Sequence, residues 1–220
     1  MKKFELTSET KINIFGKKLF RIKALISFAD VEAGETGGWV EKEGNVNQSG
    51  NAWVSGNAEV SGDAMVYGNA KVSGNAEVSG NAEVSGNAMV YGDAMVSGNA
   101  WVSGNAEVSG NAMVYGNAKV SGDAMVSGNA KVYGDAKVYG DAKVYGDADY
   151  TTIHGFGTQF RTTTFFRCKD KKVRVACGCF FGTIPEFREQ VKKTRSGKIV
   201  EEYLMIADLM EKHFEVKSNE

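Results

Sequence analysis

The most regular feature of the chain is an alternation of small apolar and polar residues that repeats every six positions. From Gly50 to Gly146 a glycine recurs at every sixth residue, within the unit Gly-[Asn/Asp]-Ala-x-Val-[Ser/Tyr]. Ala and Val are two residues apart, so in a strand both side chains lie on one side and residue x lies on the other. The pattern therefore predicts short strands with a constant inner side and a variable outer side.

The Gly-[Asn/Asp] pair predicts a bend between consecutive strands, because glycine adopts positive φ without steric cost and Asn or Asp tolerates it. Three six-residue units then close a triangular coil of 18 residues, and stacked coils form a parallel β-helix with an Ala/Val interior. With the imperfect unit that begins at Gly44, residues 44–151 predict about six such coils.

The segments on either side of the repeats predict caps or small modules. In residues 1–43, apolar patterns predict strands over 4–7, 11–15 and 19–28 that cover the open edge of the first coil. Residues 152–220 predict a ββαα module with strands over 162–168 and 173–181 and a second helix over 198–214. The first helix begins at a capping box, Thr183 to Glu186, and ends near residue 194. This module either caps the last coil or forms a separate domain.

Read from valine, the repeat Val-[Ser/Tyr]-Gly-[Asn/Asp]-Ala-x resembles the hexapeptide repeat of left-handed β-helices. Residues 28–40, Phe-Ala-Asp-Val-Glu-Ala-Gly-Glu-Thr-Gly-Gly-Trp-Val, resemble the lead-in of YdcK-like hexapeptide-repeat proteins of bacteria and their phages. Residues 161–180 and the last helix resemble a recurring tail of phage and prophage proteins. The resemblance implies a left-handed helix, a phage or prophage origin and frequent trimers. It implies no single activity, since this fold hosts acyltransferases, carbonic anhydrases and scaffolds.

Composition and charge narrow the class of protein. The 220 residues include a single proline and three cysteines, an odd number that argues against a secreted disulfide framework. No apolar run approaches the ~20 residues of a membrane span. We expect a soluble, cytoplasmic protein without membrane contact. The formal charge of −1 is uneven, because residues 44–151 carry −6 and residues 152–220 carry +4.

The residues that could perform catalysis are few. Acyltransferases of the resembled fold use a histidine base, and its carbonic anhydrases use three zinc-binding histidines. This chain has only His154 and His213, both outside the repeats. We therefore expect a non-enzymatic protein with no catalytic residue, bound metal or cofactor.

Two other sets of residues allow a metal or redox interpretation. Aspartates at the bend position could bind calcium, but Asn replaces them in other units, which favours a corner residue with a local hydrogen bond; they are Asp63, Asp93, Asp123, Asp135, Asp141 and Asp147. Cys168, Cys177 and Cys179 could form a metal or redox site. Their spacing instead favours small apolar residues buried on one side of a strand.

The predicted ligand- or partner-binding site is a basic hairpin with two aromatic residues. Arginine and lysine next to aromatic rings suit phosphate binding combined with stacking. The residues are Arg161, Phe165, Phe166, Arg167, Lys169, Lys171, Lys172 and Arg174. The alternative is a solvated hairpin that docks against the acidic repeats.

Apolar residues at the outward position predict self-association, as a trimer or a dimer, because exposed Met and Trp are enriched at interfaces. The predicted interface comprises Trp53, Met89, Tyr91, Met95, Trp101, Met113 and Met125. The alternative is that these long side chains lie flat over the coil surface.

These observations favour a binding or scaffold protein of phage or prophage type, whose rigid oligomeric β-helix presents the C-terminal module to a host component. One alternative is a sponge that sequesters a phosphorylated, nucleotide-like signalling molecule as a counter-defence protein. Another is a degenerate acyltransferase-like enzyme that depends on His154. A nucleic-acid partner is not expected, since Asp135 and Asp141 offset the lysines of the last full coil.

Overall fold

The N-terminal strands of the chain form a cap that runs directly into the repeats. A computed structural model describes residues 2–215. Its first three strands are β1 (Phe4–Ile12), β2 (Lys18–Ala24) and β3 (Thr36–Val40). β1 pairs antiparallel with β2, which pairs antiparallel with β3. The predicted strands over 4–7 and 11–15 are thus one strand, with an irregular register between Leu6 and Thr10. A one-turn 3-10 helix, Glu43–Asn45, follows β3.

The repeats form a parallel β-solenoid of two-residue strands. The strands are β4 (Trp53–Val54), β5 (Glu59–Val60), β6 (Met65–Val66), β7 (Lys71–Val72), β8 (Glu77–Val78), β9 (Glu83–Val84), β10 (Met89–Val90), β11 (Met95–Val96), β12 (Trp101–Val102), β13 (Glu107–Val108), β14 (Met113–Val114), β15 (Lys119–Val120), β16 (Met125–Val126), β17 (Lys131–Val132), β18 (Lys137–Val138) and β19 (Lys143–Val144). Met89 pairs with Glu107 and Trp101 with Lys119. This spacing confirms the predicted 18-residue coil and a solenoid of about six turns.

Every third strand belongs to the same sheet, so the solenoid has three faces. Sheet 1 has the order β1-β2-β3-β5-β8-β11-β14-β17, sheet 2 the order β4-β7-β10-β13-β16-β19 and sheet 3 the order β6-β9-β12-β15-β18. The alanine and valine of each unit lie in the interior with almost no exposed surface. The residue between them lies on the outside, as the alternation predicts.

The corner glycines are needed both for their backbone angle and for the room they leave. Gly98 has φ of +71°, and a Cβ there would lie 3.0 Å from the backbone nitrogen of Gly116 on the next coil. A side chain at this position would therefore strain the backbone and separate two coils.

The Asn and Asp residues of the corners bond between coils, and the prediction of a purely local hydrogen bond is wrong. The amide Nδ2 of Asn69 donates to Oδ1 of Asn87, 18 residues later, and Asn87 donates in the same way to Asn105. This ladder ends where Asn105 donates to Asp123. A carboxylate only accepts hydrogen bonds, so an aspartate terminates a ladder that asparagine propagates.

The backbone hydrogen bonds between coils that involve a residue outside the two-residue strands all point the same way, whereas a bond between two strand residues of a parallel pair runs in the opposite direction. Each coil donates N–H groups to carbonyls of the following coil, as when Met89 N–H bonds to the Ala106 carbonyl at 2.9 Å. The first coil therefore has carbonyls with no preceding coil, and the last coil has N–H groups with no following one. Buried unpaired groups of either kind are costly, so the two ends need opposite chemistry.

Side-chain donors cover the carbonyls at the first end. Nζ of Lys3 donates to the Ala52 carbonyl at 2.7 Å and to the Gly50 carbonyl at 3.3 Å. Nδ2 of Asn45 bonds to the carbonyls of residues 62 and 64, and Nη1 of Arg21 bonds to that of residue 56. Three donors from the N-terminal cap thus replace the N–H groups of a missing coil.

Side-chain acceptors meet the N–H groups at the other end. Lys131 N–H donates to Oδ1 of Asp147, and Lys137 N–H donates to Oγ1 of Thr164, each at 3.0 Å. Oδ2 of Asp149 accepts the N–H of Tyr145 at 3.0 Å. These carboxylates and this hydroxyl take the place of the carbonyls of a further coil.

The C-terminal module caps the solenoid and has more strands than predicted. Its elements are β20 (Tyr150–Phe156), β21 (Arg161–Arg167), β22 (Val173–Cys177), β23 (Phe180–Thr183), α1 (Ile184–Thr194) and α2 (Lys198–Glu215). The predicted strand over 173–181 is two strands, because Gly178 with φ of +62° starts a two-residue turn. The capping box is confirmed, since Thr183 Oγ1 accepts the N–H of Glu186 and the Glu186 carboxylate accepts that of Thr183.

Neither helix within residues 2–215 combines the length and the hydropathy that a bilayer crossing requires.

The 18-residue coil predicts how the solenoid responds to deletions. Removal of residues 86–103 takes out one coil and restores the same register, so the caps should remain folded with their relative orientation unchanged. Removal of residues 86–91 rotates everything beyond the deletion by one face. Circular dichroism and amide hydrogen exchange should show native-like caps in the first variant. The coil assignment is contradicted if the 18-residue deletion is the more damaging of the two.

The buried amine of Lys3 predicts a pH dependence of stability. Burial lowers the pKa of Lys3 to about 8, so the folded state loses this proton well before the unfolded state, near 10.5. The unfolded state then binds more protons between pH 8 and 10, and the free energy of unfolding should rise there by on the order of 1 kcal/mol per pH unit. Lys3→Met should abolish this rise, while the exposed neighbour variant Lys2→Met should keep it. Denaturant unfolding at pH 7.5 and 9.5 measures both, and equal pH slopes for wild type and Lys3→Met would contradict the assignment.

Candidate functional site

The C-terminal module is held on the last coil by β21, whose side chains alternate between two cores. Phe166 packs into the solenoid interior, and Phe165 packs against α1 in the core of the module. Both rings are fully buried, so neither is available to stack on a ligand, contrary to the prediction. Adjacent residues of a strand point to opposite faces, and here both faces of β21 are covered.

The predicted basic site is divided between the two ends of β21. Arg161 begins the strand and Arg167 ends it, which separates the two residues by roughly 20 Å at ~3.3 Å per residue. Lys169, Lys171 and Lys172 follow Arg167 in the loop between β21 and β22. The sequence predicted that these residues form one basic patch. Because β21 is extended, they form two separate basic groups, one at each end of the strand.

At the end of β21 that leads into the β21–β22 loop, one arginine is in an ion pair, whereas three lysines form none within residues 2–215. Arg174 donates from Nη2 to Oδ2 of Asp170 at 2.8 Å, and this contact lowers the pKa of the Asp170 carboxyl. The side chains of Lys169, Lys171 and Lys172 are exposed and form no ion pair within residues 2–215. Arg174 is thus committed to the loop itself, whereas the lysines are accessible to a partner.

Arg167 connects the solenoid end to α2. Its guanidinium donates to the carbonyl of Phe214, lies over the Phe214 ring at 5.3 Å and approaches Asp149 at 3.8 Å. Substitution of Arg167 would therefore disturb the packing of α2 as well as any ligand. The free lysines of the loop are the better residues with which to test binding.

A groove of about 480 Å³ lies beside this loop. Arg167, Lys171 and Lys172 contribute its basic side, and an apolar floor comes from β22, the start of α1 and the end of α2. The complete lining is Arg167, Lys171, Lys172, Val173, Thr183, Ile184, Pro185, Glu211, Phe214 and Glu215. Glu211 is paired with Arg188 at 2.7 Å. The groove thus combines the charges of Lys171 and Lys172 with a limited apolar surface, and Glu211 and Glu215 add carboxylates to its lining.

The three cysteines occupy different environments and do not form one site. Cys168 is buried at the solenoid end, and burial raises the pKa of its thiol to about 12, which suppresses thiolate chemistry. Cys177 ends β22, and Cys179 is exposed in the following turn. The expectation that Cys177 and Cys179 are buried on one side of a strand is wrong: Cys177 is only half-buried, and Cys179 is exposed because the turn at Gly178 ends the strand. Within residues 2–215 no three His, Cys, Asp or Glu side chains are grouped to hold a metal ion.

The two histidines both lie in the C-terminal module. His154 is in β20, where its Nδ1 is 3.1 Å from Oγ1 of Thr162, and His213 packs edge-on to the Phe214 ring near the end of α2. Among the described residues, the outer faces of the solenoid therefore present carboxylates, lysines, hydroxyls, amides and apolar groups, without an imidazole.

The residues of the predicted oligomer interface lie on all three faces. Sheet 2 contains Trp53, Met89 and Met125, and Tyr91 lies just beyond its strand β10. Sheet 1 contains Met95 and Met113, which are paired neighbours, and sheet 3 contains Trp101. Charged residues separate most of them, as Glu107 separates Met89 from Met125. Adjacent exterior methionines of one face occur at Met95 and Met113.

Trp53 differs from the other residues of the predicted interface. It is only 4% exposed and packs edge-on to Phe4 and Phe28, with ring centroids 6.2 Å and 5.5 Å away. The prediction that Trp53 faces a partner molecule is wrong, because the N-terminal cap covers the first strand of sheet 2.

An exposed apolar tip on the N-terminal hairpin was missed by the sequence pattern. Ile12, Ile14 and Phe15 are 64%, 87% and 58% exposed, although the alternation assigned 11–15 to a strand of the cap. Lys17 and Lys18 follow the tip. The signal in the sequence is the apolar pair Ile14-Phe15 beside the turn glycine, where turns are ordinarily polar.

Comparison with known families gives a match within the repeats. A family model described as the YdcK beta solenoid repeat matches residues 88–104. The match covers about one coil and agrees with the solenoid geometry around β10, β11 and β12. No curated protein matches the chain significantly. The chain is therefore similar to YdcK solenoid repeats in its repeat region, while the match does not extend to its two caps.

Proposed function

We propose that this protein is a non-enzymatic scaffold, whose solenoid presents the C-terminal module to an acidic surface of a protein partner. The observation that carries the proposal is the groove beside the β21–β22 loop, with Lys171 and Lys172 free at its rim. Positive side chains beside a modest apolar floor suit an acidic segment that carries one or two apolar residues.

The attachment of the module to the solenoid supports the scaffold function. β21 bonds to the last coil through Thr164, Phe166 enters the solenoid interior, and the Lys169 N–H donates to the Asp141 carbonyl at 3.1 Å. The groove is thus held in a defined direction relative to the solenoid axis. A solenoid with a continuous Ala/Val core is stiff along that axis, because every coil is bonded to both neighbours.

The proposed partner is a component of a bacterial host, and the proposed origin of the protein is a phage or prophage. Both proposals are supported by the resemblance of residues 28–40 and 161–180 to segments of such proteins. The absence of imidazoles from the solenoid faces within residues 2–215 supports binding over acyl transfer, which in the resembled enzymes depends on a histidine base.

Self-association through sheet 1 completes the proposal. Met95 and Met113 lie side by side on this face, and their flexible side chains adapt readily to a second copy. A dimer or trimer with parallel axes would present several C-terminal modules together and strengthen binding to a repeated partner surface.

The loop lysines predict a selective loss of partner binding. The double variant Lys171→Asn, Lys172→Gln removes two charges from the groove; asparagine is chosen because residue 171 has φ of +64°. A host protein captured from bacterial extract by tagged wild type should bind this variant at least tenfold more weakly, because each charge-assisted contact contributes about 1.5–3 kcal/mol. The control, Lys192→Gln with Lys193→Gln on α1, removes the same charge elsewhere and should bind normally. Equal capture by both variants contradicts the groove as the binding site.

The Met95–Met113 pair predicts the oligomeric state. Native mass spectrometry of the wild type should give two or three times the subunit mass of 23.7 kDa. Met95→Glu with Met113→Lys places charges in the interface and should yield monomers, whereas Met65→Lys on sheet 3 should not. A monomeric wild type, or dissociation only by Met65→Lys, contradicts the assignment to sheet 1.

A further inference from the structure

A second basic site lies at the opposite end of β21 from the groove. Here the turn between β20 and β21, the turn between β22 and β23 and the C-terminal end of α1 surround a cavity of about 80 Å³. Its lining is Thr158, Gln159, Arg161, Cys177, Cys179, Phe180, Phe187, Gln190, Val191, Thr194, Arg195 and Tyr203. Among the described residues of this lining, two are arginines and none carries a carboxylate.

The two arginines are without acidic partners. Neither Arg161 nor Arg195 forms an ion pair within residues 2–215, although most arginines of this module do, including Arg174 and Arg188. Both guanidinium groups act electrostatically on the Tyr203 hydroxyl, whose pKa is raised by burial and lowered in part by their charges. Both guanidinium groups therefore lie within electrostatic reach of the Tyr203 hydroxyl, and neither is paired with a carboxylate of the described residues.

Two glycines provide the room for this arrangement. Gly178 has φ of +62°, and a Cβ there would lie 2.6 Å from Nη1 of Arg161. Gly157 has φ of +69°, and a Cβ there would lie 2.6 Å from the hydroxyl oxygen of Tyr203. The backbone of both turns thus lies close against the polar ends of Arg161 and Tyr203, and only glycine at these two positions leaves room for them.

The remaining walls combine neutral donors with a rigid aromatic base. Gln159, Gln190 and Thr194 contribute amide and hydroxyl groups. The rings of Phe180 and Phe187 pack at 5.5 Å, and Phe187 packs edge-on to Tyr203 at 5.7 Å. This base fixes the position of the Tyr203 ring, whose hydroxyl donates to the Phe156 carbonyl at 3.2 Å.

We propose that this cavity binds a single phosphate group, held between the guanidinium groups of Arg161 and Arg195. The cavity, with a volume of about 80 Å³, is small, which favours a single tetrahedral oxyanion over a ligand with a sugar or base inside it. Planar guanidinium groups match phosphate geometry with paired N–H donors. The rest of a phosphorylated ligand would lie outside, over the rim at Gln159 and Cys179. This site is separate from the groove of the proposed function, so a failure of either proposal does not affect the other.

Arg195 also has a structural role that the test must separate from binding. It lies at the C-terminal end of α1, where its N–H donates to the Val191 carbonyl and its Nη1 to the Thr194 carbonyl at 3.2 Å. A purely helix-capping arginine would alter thermal stability on substitution without altering the affinity for phosphate.

Isothermal titration of the full chain with inorganic phosphate and with phenyl phosphate tests the proposal. We expect saturable binding with Kd below about 1 mM, and at least tenfold weaker binding for Arg161→Gln and for Arg195→Gln, which is about 1.4 kcal/mol. Lys193→Gln, with the same charge change on α1, and the Lys171/Lys172 double variant should bind as wild type. Tighter binding of phenyl phosphate assigns the natural ligand to phosphate esters, and equal affinity assigns it to free phosphate.

A spectroscopic measurement covers the case in which a variant fails to fold. In the wild-type protein labelled with ¹⁵N, saturation with phosphate should shift the Nε–Hε signals of Arg161 and Arg195 but not those of Arg188. The proposal is overturned if the wild type shows no saturable binding, if both arginine variants bind as well as wild type, or if other arginines shift instead.

Discussion

The two caps of this molecule are matched to the direction of the hydrogen bonds that join one coil to the next. Because the hydrogen bonds outside the strand pairs donate N–H groups forward, the first end of the solenoid is rich in carbonyls without a preceding coil and the last end in N–H groups without a following one. The N-terminal cap supplies amine, guanidinium and amide donors through Lys3, Arg21 and Asn45. The C-terminal segment supplies carboxylate and hydroxyl acceptors. The caps are thus chemically complementary to the ends that they cover and could not be exchanged.

This constraint also explains why the candidate sites lie in the C-terminal module and not on the solenoid. Along the coils the inner residues are fixed by packing and the corners by close contact between glycines, so only outward positions vary. The module instead has turns at Gly157 and Gly178 and a loop after Arg167, which hold charged side chains without counter-ions. The side chains that could bind a partner are therefore concentrated in the turns and loops outside the repeats.

The sequence predicted the solenoid well because its signal is local and repeated, with Ala and Val two apart and glycine at every sixth residue. The helix that follows Thr183 was equally clear, since a capping box needs only residues close in sequence. The candidate sites were predicted poorly. The burial of Phe165, Phe166 and Trp53 depends on which face another segment covers. Arg161 and Arg195 line the same cavity only through folding, and no spacing in the sequence records that they share it.

The asparagine ladders have a consequence for the lifetime of the protein. Spontaneous deamidation converts asparagine to aspartate, which keeps an acceptor but removes the donor that links one coil to the next. The damage would be greatest where the next residue of the ladder is already an aspartate, as at Asn75, Asn105 and Asn117. There two carboxylates would face each other, and like charges directly opposite destabilise a sheet. The damage from deamidation should therefore be concentrated at a few predictable corners and not spread evenly along the solenoid.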